Sequence, residues 1–544
     1  MTLNKITQYA STLTLTLGWL CIMSGRCGPA WAASNDTAQK PNIVFIYADD
    51  LGWGDLGCHG HPEIKTPHLD QLAADGTDFQ RFTVCNPVCS PSRVAILTGH
   101  FPARYNVHQH YASHAQNVAR GMPDWLDPNV PLLPKTFKAA GYRTAHYGKW
   151  HLSGGDVTEP PPTTAYGYDD SAVYVGPGPH VFDGTRYGKL VQESSAHDQH
   201  AASYLSVAAT DHTLDFIRQS GDTPFYLNLW LHETHHLVSA TEEDKRAYPN
   251  TPEPQRTYYS AVTRADRQVG RVLSLLDELG KRENTIVIFS SDNGPENTHP
   301  NPGDKFYYSV GTTGGLRGRK RSLYRGGVGT PLIVRWPGHV PAGRVDTTSM
   351  ISGVDFFPTL LAATGIDLPN GYRPDGENVL DVFRGAQWKR TKPMFWQWRG
   401  NHAQAANWPM RAMQQDSWVL MVDEDKKRME LYDVAKDVRQ LNNVVDQHPQ
   451  RVAEMLRQIE QWESTLPEPP PVTAAPQPAA KKPQSFDRTA AFNRKDRNGD
   501  DALTLEEYLD RFPDPTEGRR RFPKFDKDGN GKLTREEFIG PSGR

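Results

Sequence analysis

The sequence is poor in cysteine and, beyond its first residues, has no long apolar run. Five cysteines in 544 residues are too few for a disulfide-rich scaffold. The net charge of −3 gives no overall electrostatic signal for nucleic acid or for an anionic membrane. No segment after the N-terminal region is apolar enough to span a bilayer. We therefore expect a globular protein of roughly two to four domains that neither binds nucleic acid nor crosses a membrane.

Residues 1–32 have the pattern of a secretory signal peptide. Lys5 supplies a positive start, residues 13–23 are apolar, and Ala30-Trp31-Ala32 offers a small-x-small cleavage pattern. The apolar stretch is shorter than a membrane span requires. We predict export to a periplasm, the cell surface or the medium.

The cysteine count matters once this peptide is removed. Three cysteines would then be left: Cys58, Cys85 and Cys89. An odd number means that at least one is unpaired within the chain. A Cys58–Cys85 or a Cys85–Cys89 disulfide, with one buried thiol left over, stays open at this point.

Residues 40–380 alternate short β-branched runs with helical patterns, as an α/β fold requires. The continuous apolar runs at 42–47 and 285–290 are typical of strands covered on both faces. Residues 261–280 place their apolar side chains on one helical face and end at a glycine. We predict a large mixed, mostly parallel sheet flanked by helices.

The pattern changes after residue 380. In 381–466, "MFWQWR" and "SWVLMV" indicate antiparallel strands, and "RVAEMLRQIEQWE" has helical spacing, so a smaller sheet closed by a helix is expected. Residues 467–485 are a Pro/Ala-rich linker that cannot build a core. We expect residues 486–544 to form a separate, small all-α module.

Polar side chains follow both central strand candidates. Asp49 and Asp50 come after the first, and Asp292 and Asn293 after the second. Ligands of open α/β sheets bind at the carboxyl ends of strands. Four oxygen ligands there suit Ca²⁺ or Mg²⁺ better than zinc. Each pair alone is better explained by a polar turn, but two pairs in the same context shift the balance toward a metal.

Cys89 begins a predicted helix that continues through Pro91 to Gly99. The positive end of a helix favours a bound anion, and Arg93 lies one turn further in. This is a good position for a nucleophile that attacks an anionic group.

Three later segments add cations and imidazoles, which can hold an anion and protonate a leaving group. These residues are Lys149, His151, His232, His235, His236, Arg317, Arg319, Lys320 and Arg321. If the chain is extended at Lys149, then Lys149 and His151 point to one face. Each residue alone is more often structural or a solvated surface charge.

The segment "CSPSRVAILTG" resembles the signature of the formylglycine-dependent sulfatases of the alkaline phosphatase superfamily. The resemblance runs in order from about residue 40 to 465. Its further motifs are "PNIVFIYADDLGWGDLGCHG", "TPHLDQLAADGTDF", "GYRTAHYGKWHL", "SSDNGP" and "GGLRGRKRSLYRGG". It implies an alkaline-phosphatase-like fold and a sulfuric ester hydrolase.

The resemblance implies that Cys89 is oxidised to Cα-formylglycine by a formylglycine-generating enzyme. One oxygen of the hydrated aldehyde would attack sulfur, form a covalent sulfate ester and expel the alcohol. The second hydroxyl would then eliminate sulfate and restore the aldehyde.

The resemblance also assigns the family's residue roles to matching positions of this sequence. Its calcium ligands match Asp49, Asp50, Asp292 and Asn293, together with the modified Cys89. Arg93 matches the residue that orients the formylglycine, with Lys149 beside it, and His151 matches the base that collapses the hemiacetal. His235 and Lys320 match the pair that contacts sulfate and assists the leaving oxygen.

The chain departs from the family pattern in three places. The family commonly has Glu-Gly-Gly-x-Arg where this chain has Arg325 and Gly329. A His-x-Pro sequence is usual where this chain reads "THHL", so a share of His232 or His236 in the role of His235 stays open. Ser153 stands where glycine is common.

Residues 496–507 and 526–537 are two loops of EF-hand type. The predicted calcium ligands of the first are Asp496, Asn498, Asp500, Thr504 and Glu507, and those of the second are Asp526, Asp528, Asn530, Thr534 and Glu537. Gly531 occupies the turn position of the second loop, but Asp501 replaces that glycine in the first, which predicts a weaker site. The partner or role of this module stays open.

The expected function is hydrolysis of a sulfated small molecule or glycan, with active-site calcium and calcium in the EF-hands. One alternative is a phosphate or phosphonate monoester hydrolase of the same superfamily. Another is a calcium-binding surface protein without catalysis.

Overall fold

The computed structural model describes residues 40–154, 157–174, 201–236, 238–296, 309–399, 409–468, 488–510 and 515–539. The predicted signal peptide and nearly all of the predicted linker lie outside the described residues.

Eight strands form the main sheet, in the spatial order β4-β3-β5-β1-β6-β7-β2-β8. They are β1 Asn42–Ala48, β2 Thr77–Phe79, β3 Arg143–Lys149, β4 Asp170–Tyr174, β5 Phe225–Trp230, β6 Thr285–Ser291, β7 Leu332–Arg335 and β8 Arg344–Asp346. Of these eight, β7 alone runs opposite to the rest, because it pairs antiparallel with both β6 and β2. The sheet is therefore mixed and mostly parallel, as predicted.

Helices cover both faces of this sheet. The α-helices of this region are Pro67–Ala74, Cys89–Thr98, His114–Ala119, Leu133–Ala139, Ala201–Gln219, Glu242–Lys245, Gln255–Glu278, Arg325–Val328, Phe356–Ala363 and Leu380–Phe383. Successive residues of β1 belong to two different cores: Phe45 packs with Val94 and Phe356, whereas Ile46 packs with Val269 and Leu276. A strand buried on both faces has to be apolar throughout, which explains the continuous run at 42–47.

A second, antiparallel sheet follows, in the order β12-β11-β10-β9. Its strands are β9 Met394–Gln397, β10 Arg411–Gln415, β11 Trp418–Val422 and β12 Met429–Asp433. The two strands predicted here are β9 and β11, and β10 lies between them. The helix Pro449–Glu463 closes the sheet, with the Trp462 ring stacked 4.8 Å from that of Phe395.

The C-terminal module is mostly helical, as predicted, but it repeats a helix–loop–strand–helix unit, so a two-stranded sheet adds to the predicted all-α module. Its helices are Arg488–Lys495, Leu505–Leu509, Pro515–Phe525 and Arg535–Ile539, and its strands are β13 Ala502–Thr504 and β14 Lys532–Thr534. The strands pair antiparallel with Leu503 opposite Leu533. Phe492, Tyr508 and Phe538 are buried in the shared core, with Phe525 partly buried against it.

Within the part of the chain that is described, no helix is both long and apolar enough to cross a membrane. The three described cysteines are free thiols: Cys58 is exposed, and Cys85 and Cys89 are buried. Neither of the disulfides that the sequence left open is formed.

Candidate active site

The ends of β1 and β6 bring four polar residues together. The two strands pair in parallel with Ala48 beside Ser291, so Asp49 and Asp292 follow at the same edge of the sheet. The backbone N–H of Asp50 donates to Asp292 Oδ1 at 3.1 Å, and Asn293 Nδ2 donates to Asp50 Oδ1 at 2.6 Å. All four side chains are buried. The structure thus places the predicted ligands in one cluster.

Cys89 is the first residue of the helix Cys89–Thr98, directly after the extended Val88. The helix ends where Gly99 adopts a left-handed conformation (φ +66°), which favours glycine. Cys89 Sγ lies 3.7 Å from Asp49 Oδ1. The helix N-terminus therefore points its unsatisfied N–H groups and its partial positive charge at the acidic cluster.

Arg93 fixes this helix against the strand ends. Its fully buried guanidinium donates to Asp292 Oδ2 through Nη2 at 2.6 Å and Nε at 3.2 Å. Its Cζ atom also lies 4.9 Å from the Trp230 ring centroid. Arg93 therefore joins the nucleophile helix to β6 and faces an aromatic residue of β5.

Two lysines complete the charge pattern. Lys149, the last residue of β3, donates to Asp49 Oδ2 at 2.5 Å, and Lys320 donates to Asp50 Oδ2 at 2.6 Å. Burial opposes their charge, but Asp49 raises the pKa of Lys149 and Asp50 raises that of Lys320. Burial alone would raise the pKa of Asp49, yet the surrounding imidazole and cations hold it well below its usual value. Three cations thus face three carboxylates in a buried space.

His151 reaches the site in a different way from that predicted. β3 ends at Lys149, and His151 has a left-handed backbone (φ +53°), so the two residues are not on one face of an extended strand. His151 Nε2 donates to the carbonyl oxygen of Tyr111 at 3.1 Å, and its buried Nδ1 has no partner in the described structure. Burial and the nearby Lys149 charge lower the pKa of His151 well below its usual value. The ring is neutral, with a free lone pair on Nδ1.

His235 is the histidine of the "HETHH" segment that meets the acidic cluster. Its Nδ1 donates to the carbonyl oxygen of His236 at 2.7 Å, which leaves Nε2 as an acceptor 4.0 Å from Asp50 Oδ2. Burial lowers its pKa to about 4. The His232 ring lies 5.8 Å from that of His235, and its two ring nitrogens have no hydrogen-bond partner in the described structure.

The donor set fits a hard cation. Ligand atoms of Asp49, Asp50, Cys89 and His235 all lie within 4.8 Å of one another. Asn293 Oδ1 is buried without a partner, although nearly every buried polar atom has one. An oxygen-rich group with an unused amide oxygen is suited to Ca²⁺ or Mg²⁺. Asp292 is different from the other predicted ligands, because Arg93 and the Asp50 N–H already engage its oxygens.

Two residues near the site, His110 and Glu296, were not predicted from the sequence. The His110 ring lies 6.2 Å from the His151 ring. Glu296 forms ion pairs with both Lys320 and Arg321. His110 lies in a loop without periodic pattern. Glu296 directly follows the "SSDNGP" motif, and this position next to a motif could have indicated that it lies near the site.

The two C-terminal loops differ in their acidic groups. Carboxylate oxygens of Asp526, Asp528 and Glu537 lie within 4.8 Å of one another, whereas the described residues of the first loop form no such group. In both loops the threonine hydroxyl, of Thr504 or Thr534, donates to the glutamate three residues on. The second loop is thus the better candidate for a cation.

Family models match most of the chain up to the linker. A model described as Sulfatase matches residues 41–366, and one described as N-sulphoglucosamine sulphohydrolase, C-terminal, matches residues 318–465.

Individual relatives agree with these matches. N-acetylgalactosamine-6-sulfatase of Canis lupus familiaris is 36% identical over 383 residues, which cover 67% of this chain and 69% of the relative. Arylsulfatase A of Homo sapiens is 34% identical over 364 residues, which cover 63% of this chain and 67% of the relative. The crystal structure of Ps i-CgsB in complex with k-i-k-neocarrahexaose shares the fold, with a TM-score of 0.65 at 24% identity over 80% of this chain and 94% of that one.

Proposed function

This chain belongs to the sulfatase family and is a sulfuric ester hydrolase, and from that premise we propose that it hydrolyses sulfated carbohydrates with Cys89 converted to Cα-formylglycine. The observation that carries the proposal is the position of Cys89. Its side chain lies at the positive end of a buried helix, 3.7 Å from Asp49, and three cations face the same acidic cluster.

The thiol itself is a poor nucleophile in this position. Burial raises the pKa of Cys89 to about 12, although Lys149 and Lys320 oppose the shift. A thiol nucleophile acts as the thiolate, so the unmodified side chain would be almost entirely in the inactive form at neutral pH. Formylglycine, when present, supplies a hydrated aldehyde whose oxygen attacks sulfur.

We propose that Asp49, Asp50, Asp292 and Asn293, with the modified residue 89, hold a calcium ion. The unpartnered Asn293 Oδ1 supports this assignment. Three cations and three carboxylates nearly cancel, so without a metal the site has little net charge to attract a sulfate ester. A divalent cation there would supply that positive charge and polarise the ester.

Side chains of the protein carry out the remaining steps. Arg93 and Lys149 hold residue 89 and the carboxylates in place. His151 accepts a proton through its free Nδ1, because the ring stays neutral. Lys320 stays charged and, with His235 beside it, donates a hydrogen bond to the leaving oxygen.

The substrate proposal rests on the named relatives. Two sequence relatives are named as sulfatases, one of them for N-acetylgalactosamine 6-sulfate chemistry, and a structure of the same fold contains a neocarrahexaose. We therefore assign the substrate to sulfated carbohydrates, with a 6-sulfated amino sugar as the first candidate.

The relevant experiment compares initial rates on 4-nitrophenyl sulfate, 4-nitrophenyl phosphate and N-acetylgalactosamine 6-sulfate. The matched control is Cys89→Ser from the same host. We expect sulfate hydrolysis to dominate in the parent enzyme and to be lost in the variant. Faster hydrolysis of the phosphate ester would instead assign the chain to the phosphate or phosphonate monoester hydrolases. Calcium binding without turnover of any ester, in protein modified at residue 89, would identify a non-catalytic protein.

We further propose that the chain is exported, is matured by a formylglycine-generating enzyme and binds calcium through EF-hands at 496–507 and 526–537. The duplicated units and their common core support the last assignment.

A further inference from the structure

Arg325 is a buried cation that pairs with no carboxylate in the described part of the chain. Arg325 is 6% exposed, and within the described ranges its side chain makes one hydrogen bond, from Nη2 to the carbonyl oxygen of Gln80 at 2.8 Å. Among the described residues, no carboxylate lies within 4.0 Å of it. The buried Arg93, Arg264 and Arg390, by contrast, each pair with a carboxylate.

The wider surroundings of Arg325 are also positive. Burial, together with the nearby cation Arg81, lowers the pKa of Arg325 to about 10. Arg335 is a second buried arginine without a close carboxylate, but Asp277 and Asp75 lie near enough to favour its charge. Arg325 differs from Arg335 in that no described carboxylate favours its charge.

A side chain at position 329 would collide with Arg325, so this position cannot supply an internal partner. A Cβ at Gly329 would lie 2.7 Å from the Arg325 carbonyl oxygen and 3.0 Å from its Cγ. Arg325 thus occupies the room next to position 329, where glycine offers no side chain.

Arg325 lines a small cavity between the main domain and the antiparallel sheet, the Arg325 cavity. It offers about 20 Å³ to a water-sized sphere, and its polar lining residues are Thr83, Arg325, Gln414 and Gln440. The remainder of the lining is apolar, and it contains no carboxylate.

Gln440 presents a second donor. Its side chain is 98% buried, and its Oε1 accepts the backbone N–H of Arg325 at 2.7 Å. The orientation of the amide is fixed by this bond, so Nε2 carries the two remaining hydrogens, and among the described residues no acceptor bonds to them. Arg325 and Gln440 thus line the same cavity.

We propose that the Arg325 cavity binds one chloride ion. A buried charge requires a partner of opposite sign, and the cavity provides donors, a net positive charge and an apolar wall. A water molecule needs roughly 10–15 Å³ of such space, so the cavity has room for one particle of about that size. A tetrahedral sulfate or phosphate is too large, and a water would leave the charge uncompensated.

The test measures the thermal unfolding temperature of the full-length protein while chloride replaces gluconate at constant ionic strength. For the parent we expect a saturable rise with chloride, because an ion that binds only the folded state stabilises it. Arg325→Met keeps the volume and removes the charge, so its unfolding temperature should not respond. Arg344→Met, at a partly exposed arginine paired with Asp346, is the matched control and should keep the response.

Gln440→Glu tests the same site without removing the arginine. The new carboxylate would neutralise Arg325 from within the protein, so we expect an unfolding temperature at least equal to that of the chloride-saturated parent and independent of chloride. An equal chloride response in the parent and in Arg325→Met would overturn the proposal, as would no response in the parent. Bromide-soaked crystals should show an anomalous peak beside the Arg325 guanidinium; peaks found only elsewhere would also contradict it.

Discussion

The guanidinium of Arg93 and the carboxylate of Asp292 form a fully buried pair, with Nη2 2.6 Å from Oδ2. This pair connects the Cys89 helix to the end of β6, so the nucleophile position and the proposed metal ligands share one support. Arg93 Nη2 also lies 3.7 Å from Asp49 Oδ1, at the end of β1. A change at Arg93 therefore affects both stability and catalysis.

Arg93→Gln should lower the free energy of unfolding by about 3–5 kcal/mol, because it leaves buried carboxylates without their cation. Equilibrium denaturant unfolding measures this loss. Arg457→Gln is the control, since that arginine pairs with Glu454 at the surface and its loss should leave stability nearly unchanged. Equal effects of the two changes would show that the buried pair has no special role.

Calcium should be required for activity, and Asn293 should set its affinity. Asn293→Leu removes the unpartnered Oδ1 at similar volume. We expect the calcium concentration for half-maximal activity to rise at least about 10-fold. Activity after chelation and calcium titration measures this effect, with Asn129→Leu at an exposed position as the control. Full activity of the parent in a chelator would rule out the proposed metal.

His151→Gln should lower kcat by about 100-fold or more, with a much smaller effect on KM. The glutamine amide can still donate to the Tyr111 carbonyl oxygen, but it cannot replace the free Nδ1 as a base. Steady-state kinetics on an aryl sulfate test this, with the exposed His114→Gln as the control. A kcat within a few-fold of the parent would remove His151 from the mechanism.

We expect the titration of His146 to lower the free energy of unfolding at acidic pH. Its ring is buried between the Lys149 carbonyl oxygen and Asn228, and burial lowers its pKa to about 3. Below the ordinary pKa of 6.5, the unfolded chain binds a proton that the folded protein does not. The stability from this group is therefore complete above pH 6.5 and is lost as pH falls toward 3, by about 1.4 kcal/mol per pH unit.

Unfolding free energies measured from pH 7 to pH 4.5 test this linkage. His146→Gln keeps a donor for the Lys149 carbonyl oxygen and removes the titration. The slope of its unfolding free energy against pH should therefore be smaller than that of the parent, by the amount that corresponds to about one bound proton. Parallel pH profiles of parent and variant would contradict the assignment.

In the first C-terminal loop, replacing Asp501 by glycine should increase stability and calcium affinity. Asp501 has φ +59°, whereas the equivalent Gly531 has φ +81°. Asp501→Gly should stabilise the module by about 1 kcal/mol and increase calcium affinity of that loop. Calorimetric calcium titration checks the affinity, and Lys527→Gly, at a position without positive φ, should not improve it. Unchanged or weaker binding in Asp501→Gly would show that the turn residue does not limit the site.

The central site could be predicted because its residues follow from local rules. Asp49 and Asp292 end two adjacent parallel strands, and Cys89 begins a helix with Pro91 in its first turn. The position of His110 could not be predicted, since only tertiary packing brings that loop to His151.

Other features that the sequence did not predict also depend on tertiary contacts. β10 carries no strong apolar alternation, so its place between β9 and β11 depends on its neighbours in the sheet. The left-handed backbone of His151 is set by tertiary contacts and is not encoded in the Lys149–His151 spacing. The missing counter-charge of Arg325 becomes visible only when the whole environment of its side chain is known.

The mass of the peptide that contains residue 89, from protein made in its native host, tests the account most directly. Conversion of the cysteine to formylglycine replaces CH₂SH by CHO and lowers the mass by about 18 Da. We predict that the modified peptide predominates and that its fraction follows the specific activity across preparations. A fully active enzyme with an unmodified thiol at Cys89 would contradict the mechanism.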